Sequence, residues 1–122
     1  MKILQDCLFC KMGCRESVVQ KLYEDEGFFC IRDIHPQSKS HFLVIPKQHI
    51  ESLESVFPEN GPKKNDLIGK LFEFVTFVAR EERMLPEGFR TVINTGKGGG
   101  QTVFHLHVHL LGGEPLGGAF GI

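Results

Sequence analysis

The decisive stretch reads Gln101-Thr102-Val103-Phe104-His105-Leu106-His107-Val108-His109-Leu110-Leu111. Apolar residues alternate in it with histidines, a period of two that predicts a β-strand from position 101 or 102 to position 111. Successive side chains of a strand point to opposite faces, so Phe104, Leu106, Val108 and Leu110 are expected to face the core. We therefore expect His105, His107 and His109 in one row on the other face, over roughly 13 Å.

A row of imidazoles can carry chemistry at neutral pH. The unperturbed pKa of histidine lies close to neutrality, so neighbouring histidines can supply a nucleophile, a proton donor and an orienting group. The alternatives are a half-exposed face filled by chance and a simple metal-binding strip. Strict alternation directly after a glycine-rich loop favours the catalytic interpretation.

That loop is Thr95-Gly96-Lys97-Gly98-Gly99-Gly100. Glycines permit positive φ and close approach of a ligand, and successive backbone N–H groups can form a nest for an anion. The loop matches neither the phosphate-binding Gly-x-x-x-x-Gly-Lys-[Ser/Thr] motif nor the dinucleotide-binding Gly-x-Gly-x-x-Gly motif. Its position indicates a phosphate held beside a histidine nucleophile.

The remaining chain predicts an α+β domain with a mainly antiparallel sheet. Residues 21–25 and 28–33 are typical of a hairpin, and residues 41–45 of a third strand that Pro46 ends. Apolar residues at helical spacing predict one long helix over residues 62–84, and residues 90–94 predict a fourth strand.

Length and charge exclude several classes of protein. A chain of 122 residues suits one domain, with its core over residues about 7–113 and a C-terminal tail over residues 114–122. Fourteen basic and 15 acidic residues give a formal charge of −1, so binding nucleic acid through bulk positive charge is not expected. No apolar run is long enough for a membrane span or a signal peptide, and we expect a cytoplasmic location.

Four cysteines lie within the first thirty residues: Cys7, Cys10, Cys14 and Cys30. Without a secretory signal, metal binding is favoured over disulfides. Cys7-Leu8-Phe9-Cys10 is a Cys-x-x-Cys knuckle, which is half of a tetrahedral zinc site. A metal-free pair and a redox pair are the alternatives, although the thioredoxin-like βαβ pattern that normally carries a redox pair is absent.

The motifs resemble those of the histidine triad superfamily, and the ending Leu-Leu-Gly-Gly is similar to the branch of histidine triad nucleotide-binding proteins. The resemblance rests on Asn94-Thr95-Gly96, on the run from Gly99 through His105-Leu106-His107-Val108-His109 to Gly113, on Asp33-Ile34-His35-Pro36-Gln37 and on His41-Phe42-Leu43-Val44-Ile45-Pro46-Lys47-Gln48-His49. It implies a five-stranded antiparallel sheet with one long helix, in a homodimer.

The resemblance also implies roles for single residues. His107 would attack the α-phosphorus of an adenosine 5′-phosphoramidate or acyl-adenylate, and the nucleotidyl-histidine would then be hydrolysed by water. His109 would contact the phosphate and help the leaving group depart, while His105 and His41 would support the nucleophile. The implied contacts with a purine nucleotide of the AMP type, beside His107 and His109, are Asp33 for the ribose, Asn94, Gly100, Gln101 and Thr102 for the phosphate, and Leu8, Phe9, Ile31, Ile34 and Leu43 for the base.

Bacterial relatives imply a structural zinc ion, held here by Cys7, Cys10, His49 and His105. Two positions depart from the family pattern: His35 stands where serine is common, and Lys97 where an acidic residue is usual. The leading hypothesis is a purine nucleoside phosphoramidase. The alternatives are a hydrolase of dinucleoside polyphosphates and a nucleotide-binding regulatory or scaffold protein whose catalysis is incidental.

Overall fold

The structure, a computed structural model, describes residues 4, 6–14 and 17–118. The strands are β1 (Tyr23–Glu24), β2 (Phe28–Arg32), β3 (Ser40–Pro46), β4 (Arg90–Val92) and β5 (Val108–Gly112), and the helices are α1 (Leu8–Met12), α2 (Leu53–Val56) and α3 (Asn65–Glu81). The five strands form one antiparallel sheet in the order β1-β2-β3-β5-β4. The predicted α+β fold, with five antiparallel strands and one long helix, is confirmed. Residues 119–122 of the predicted tail lie outside the described residues.

The two faces of the sheet have different functions in the fold. Alternate residues of the central strands, such as Phe42, Val44 and Val108, pack with α3 in the larger hydrophobic cluster. The residues between them, such as Leu43 and Ile45, pack with Phe9 of α1 in a smaller cluster. The period-two alternation of the strands therefore divides the molecule into a core on one face and a site for chemistry on the other.

Helix α3 is shorter than the predicted helix over residues 62–84. Lys64, just before it, has non-helical angles (φ −100°, ψ 56°), so Pro62 lies outside the helix. At the other end Arg83 adopts a positive φ of 59°, which stops the helix and lets Met84 fold back into the core. The predicted apolar stripe is present nevertheless, because Leu71, Phe74, Val75, Val78 and Ala79 are the buried residues of α3.

The fifth strand begins at Val108, so its predicted start at position 101 or 102 is wrong. Upstream of Val108 the backbone bonds elsewhere: the N–H of Leu106 donates to the carbonyl of Ile50 at 2.7 Å. Leu106 is buried as predicted, but Phe104 is 43% exposed and does not face the core. The other strands differ from prediction mainly at their ends; β4, for example, stops at Val92 instead of residue 94.

Within the described residues, no helix is long and apolar enough to cross a membrane. The homodimer that the family resemblance implies stays a prediction.

Candidate active site and metal centre

A cavity of about 470 Å³ opens on the face of the sheet opposite α3. Asp33, His41, His107 and His109 line it, together with every predicted nucleotide-binding residue except Gln101. Two larger depressions, of about 760 and 790 Å³, lie elsewhere on the surface, and neither has a histidine or cysteine among its described lining residues. We therefore place the chemistry in the smaller cavity, where the titratable side chains converge.

His107 lies in this cavity with one ring nitrogen already bonded. Its Nδ1–H donates to the backbone carbonyl of His105 at 2.7 Å. The ring of Phe9 packs edge-on against it, with 5.1 Å between centroids. Burial lowers the pKa of His107, so the imidazole is neutral at pH 7. A neutral ring with Nδ1 protonated keeps a lone pair on Nε2, which is the form that a nucleophile needs.

His41 and His109 meet across two neighbouring strands. Leu43 of β3 pairs with His109 of β5, and His41 pairs with Leu111, so the two histidines are diagonal neighbours on one face. His41 Nε2 lies 2.9 Å from His109 Nδ1, and the backbone N–H of Gln37 donates to His41 Nδ1 at 3.0 Å. Burial lowers the pKa of His109 to about 4, assisted by the neighbouring His107 and His41, and burial also lowers the pKa of His41. We call His41, His107 and His109 the cavity histidines.

Asp33 is the acidic group of the cavity. Its Oδ1 accepts the backbone N–H of His35 at 2.8 Å, and its Oδ2 lies 3.4 Å from His41 Nε2. The carboxylate therefore has one oxygen engaged in the turn after β2 and the other directed to the cavity histidines.

The glycine-rich loop lies beside these side chains and closes on itself. Gly100 adopts a left-handed conformation (φ 85°), where a residue with a Cβ would be strained, and the Asn94 side chain donates to the carbonyl of Gly99 at 2.8 Å. Asn94, Gly100 and Thr102 line the cavity, and their contact with a phosphate stays a prediction. The backbone N–H groups of Gly99, Gly100 and Gln101 donate to carbonyls of Gly96 and Lys97 at 3.0–3.2 Å, so these three do not form the predicted nest for an anion.

Gln101 is placed differently from the other phosphate-contacting candidates. It is buried and outside the cavity lining, and its side-chain oxygen accepts the N–H of Gly96 at 2.9 Å. Its side-chain amide donates to the carbonyls of Glu51 and Val103, at 2.7 and 3.1 Å. The side chain thus ties the loop to the segment that follows β3, and its polar atoms are bonded within the protein.

A second group of side chains lies behind the cavity. Cys7, Cys10, His49 and His105, which we call the metal set, place one donor atom each within 4.8 Å of one another. Cys7 Sγ is 3.3 Å from His105 Nδ1, while Cys10 Sγ is 3.4 Å from His49 Nδ1 and 3.6 Å from His105 Nδ1. Zinc–ligand lengths in a tetrahedral site put sulfur and nitrogen about 3.6 Å apart. The four residues therefore fit a metal ion of this kind.

The surroundings of the metal set agree with that use. His105 is fully buried, and its Nε2–H donates to the carbonyl of Pro46 at 2.7 Å, which leaves the Nδ1 lone pair facing the two sulfurs. An outer bond of this type commonly fixes the tautomer of a metal-binding histidine. Burial lowers the pKa of His105 to about 4, so the ring is neutral and can act as a ligand.

The other cysteines are outside the set. All four cysteines are free thiols. Cys14 donates its thiol hydrogen to the carbonyl of Cys10, and Cys30 lies in the hydrophobic cluster on the α3 face, where burial raises its pKa to about 12.

Sequence reasoning missed several contributors to the cavity. Met12 and Val103 line it, and the Pro46 carbonyl and Gln37 N–H fix ring nitrogens of His105 and His41. The two backbone groups carry no signal in side-chain identity, so no motif could have revealed them.

Comparison with known proteins agrees with this geometry. The family model described as HIT domain matches residues 15–116. The chain is 45% identical to Protein HitA of Neisseria gonorrhoeae over 89% of this chain and 97% of that protein. It is 34% identical to the purine nucleoside phosphoramidase of Escherichia coli K12, over 93% of this chain and 92% of that protein.

Solved structures give the same assignment. A histidine triad protein from Clostridium difficile superposes with a TM-score of 0.84 at 35% identity, over 94% of this chain and 96% of that one. A zinc-bound histidine triad family protein from Mycobacterium smegmatis superposes with a TM-score of 0.72 at 33% identity, over 88% of this chain and 74% of that one. The chain belongs to the HIT domain family, the histidine triad proteins.

Proposed function

We propose that this hydrolase cleaves the P–N bond of purine nucleoside 5′-phosphoramidates, or the corresponding bond of acyl-adenylates, through a nucleotidyl-histidine intermediate. The observation that carries the proposal is the bond from His107 Nδ1–H to the His105 carbonyl, which leaves the Nε2 lone pair of this cavity-lining ring for a substrate. The name of the E. coli relative, purine nucleoside phosphoramidase, supports this choice of substrate.

The lining of the cavity supports one orientation of the nucleotide. The apolar wall of Leu8, Phe9, Ile31, Ile34 and Leu43 suits a purine ring. Asp33 would accept hydrogen bonds from the ribose hydroxyls. The phosphate would then lie at the loop, near Gly100, Thr102 and Asn94, within reach of His107.

Two displacements follow at phosphorus. In the first, His107 Nε2 forms a bond to the α-phosphorus, the P–N bond breaks, and its electron pair stays on the nitrogen, which takes a proton from solvent and leaves as the amine. In the second, water attacks phosphorus, the P–Nε2 bond breaks and its electron pair returns to His107, while the proton lost by the water goes to solvent. Splitting one difficult displacement into two easier ones is the usual benefit of a covalent intermediate.

We also propose that Cys7, Cys10, His49 and His105 hold a structural zinc ion. Two cysteines and two histidines close the tetrahedral coordination, which leaves no open position for substrate. Zinc would order the side chains around it, and it takes no part in the displacements.

The wider organisation is proposed on the family resemblance. Residues about 7–113 form one catalytic domain, residues 114–122 are a tail, and two copies form a homodimer in the cytoplasm. Sedimentation equilibrium of the purified protein tests the dimer.

The experiment that tests the function compares kcat/KM for three substrate classes: an adenosine 5′-phosphoramidate, an acyl-adenylate and a dinucleoside polyphosphate. We expect the first two to be turned over at least about a hundredfold faster than the third. Acid quenching in the first turnover should trap one nucleotide on a peptide containing His107. A preference for the dinucleoside polyphosphate would favour the sister activity, and tight nucleotide binding without turnover of any substrate would favour a regulatory or scaffold protein.

A further inference from the structure

We propose that the backbone N–H of Gln37 is a positioning group that sets the protons of two cavity histidines. It holds the proton of His41 on Nε2, and His41 in turn makes His109 present an N–H, and not a lone pair, to the bound substrate. The tautomers are a property of the free protein. Their consequence for the leaving group rests on the proposed function.

The first step concerns His41. The N–H of Gln37 donates to its Nδ1 at 3.0 Å, so this nitrogen must supply a lone pair. A neutral imidazole carries one proton, which must then be on Nε2. Adding a proton at Nδ1 would set two N–H groups against each other, so the same contact opposes the imidazolium form. Burial of the ring acts in the same direction.

The second step concerns His109. His41 Nε2 lies 2.9 Å from His109 Nδ1 and 3.4 Å from Asp33 Oδ2, so the shorter contact of its proton is to the histidine. His109 Nδ1 therefore accepts, and the proton of the neutral His109 ring is on Nε2. His109 lines the cavity, and Nε2 is the ring nitrogen left for a ligand.

The third step joins the two sides of the cavity. The rings of His107 and His109 are 5.2 Å apart between centroids. His107 offers a lone pair on Nε2, because its Nδ1–H is bonded to the His105 carbonyl. His109 offers an N–H on Nε2. One phosphoryl group can thus contact a nucleophile, His107, and a hydrogen-bond donor, His109. The donor stabilises the negative charge that develops on a phosphoryl oxygen or on the leaving atom.

The turn after β2 is built to hold the Gln37 N–H in place. Asp33 Oδ1 accepts the N–H of His35 at 2.8 Å, and the Gln37 side chain donates to the carbonyl of His35 at 3.0 Å. These bonds tie the turn to itself on both sides of Pro36. They place a backbone donor, which has no titration of its own, against the ring of His41.

The same tautomer bears on a second possible metal site. Asp33, His41 and His109 also bring one donor atom each within 4.8 Å. A histidine nitrogen that carries a proton cannot bind a metal, and the Gln37 N–H keeps the proton on the Nε2 that faces the other two side chains. The structure therefore assigns these residues to a hydrogen-bond chain instead of a metal centre.

The direct test is a ¹⁵N–¹H long-range correlation spectrum of the uniformly labelled protein, in which protonated and bare imidazole nitrogens have different shifts. We expect bare Nδ1 and protonated Nε2 for both His41 and His109. A protonated Nδ1 on His41 in the parent protein would overturn the proposal whatever its variants do. This readout needs no substrate, so it is independent of the proposed reaction.

Gln37→Pro removes both the backbone N–H and the side-chain amide, while Gln37→Ala removes only the side-chain amide. Each is compared on an adenosine phosphoramidate with an amine leaving group and on the p-nitrophenyl ester of AMP, whose leaving group needs little stabilisation. A hydrogen bond of this type shifts a tautomer ratio by about threefold to tenfold. We expect Gln37→Pro to lower kcat/KM for the phosphoramidate by about that factor relative to the ester, with a mixture of tautomers at His41.

Gln37→Ala loses the side-chain bond to the His35 carbonyl but keeps the N–H and the Asp33–His35 bond, so its ratio of kcat/KM for the two substrates should stay closer to the parent value than that of Gln37→Pro. If Gln37→Pro lowers kcat/KM equally for both substrates and leaves the tautomers of His41 and His109 unchanged, the positioning function is overturned. Failure of the parent protein to hydrolyse the phosphoramidate, with the expected spectrum intact, would count against the proposed function and leave the tautomers standing.

Discussion

His105 and His107 are two residues apart in an alternating run, yet the structure gives them opposite environments. His105 uses Nε2 to donate to the Pro46 carbonyl and turns Nδ1 toward Cys7 and Cys10. His107 uses Nδ1 to donate to the His105 carbonyl and keeps Nε2 for the cavity. In both rings one backbone carbonyl selects the tautomer, and the choice of nitrogen separates the proposed metal ligand from the proposed nucleophile.

The comparison extends to the surroundings of the two rings. The metal set is closed, with thiols and imidazoles facing one another behind the cavity. The cavity histidines face an open space of about 470 Å³, which the glycine-rich loop and the apolar wall also line. Because the His105 carbonyl bonds to His107, the first region orients the second. Identical residue types at one spacing therefore acquire separate functions from where the backbone places their neighbours.

The largest effect is expected from His107→Ala. Loss of the proposed nucleophile should lower kcat for the phosphoramidate by at least about 10⁴-fold, because the tautomer proposed for the neighbouring His109 presents an N–H and not a lone pair. Because base and ribose contacts lie elsewhere, the Kd of AMP should change by less than about tenfold, and zinc content should stay at the parent level. Stopped assays, calorimetry and metal analysis measure the three quantities. Unchanged turnover would contradict the assignment of His107.

Cys10→Ser tests the other region. It should remove the metal and lower the free energy of unfolding by about 4 kcal/mol, the stabilisation expected when free zinc is about 1,000 times its Kd. Cys14→Ser is the matched control, since Cys14 lies four residues on, is outside the metal set, and has a thiol that donates to the Cys10 carbonyl. Denaturant unfolding and metal analysis decide the outcome. Equal zinc content in the two variants would count against the proposed ligands.

The fold was predictable where periodicity carries the information. The apolar stripe of α3 and the alternation at Leu106, Val108 and Leu110 both correspond to buried residues. The start of β5 was not predictable, because the segment before Val108 makes its bonds to Ile50 and Glu51, which are far away in sequence. Helices α1 and α2, with five and four residues, are too short for a periodic signal.

The site was predictable as a set of residues and not as a set of bonds. The histidine run, the glycine loop and the Cys-x-x-Cys knuckle are visible in one dimension. The contact between His41 and His109 depends on the register of β3 against β5, and the bonds that select tautomers come from backbone atoms. Such contacts are set by tertiary structure alone.

Gln101→Leu separates a direct phosphate contact from bracing of the loop. The substitution leaves the Gly96 N–H and the Glu51 and Val103 carbonyls without the side chain that bonds them, so the free energy of unfolding should fall by about 1–3 kcal/mol. Thr102→Ala is the control, because Thr102 is exposed and lines the cavity. We expect the control to raise KM with little change in unfolding. A Gln101 variant with parental stability and a raised KM would indicate direct contact instead.

The Phe9 side chain contacts a histidine of each region, and its substitution should give the smallest effect. It lies between the two cysteines of the knuckle, and its ring packs edge-on against His107 and His105, with centroids 5.1 and 5.8 Å away. Edge-on aromatic pairs contribute about 0.5–1.5 kcal/mol each. Phe9→Leu keeps an apolar wall and loses these contacts, so kcat/KM should fall by about twofold to tenfold.

An effect of Phe9→Leu on the nucleophile and an effect on the metal set can be told apart by measurement. If Phe9 acts on the nucleophile, the rate of formation of the nucleotidyl-histidine should fall while zinc content stays at the parent level. Loss of zinc from Phe9→Leu would instead mean that the ring holds the knuckle in place. In that case the wall of the nucleotide cavity and the metal set would be a single cooperative unit, and chelation of the parent protein should then raise the Kd of AMP. Metal analysis, a single-turnover assay and AMP titration with and without chelator distinguish the two outcomes.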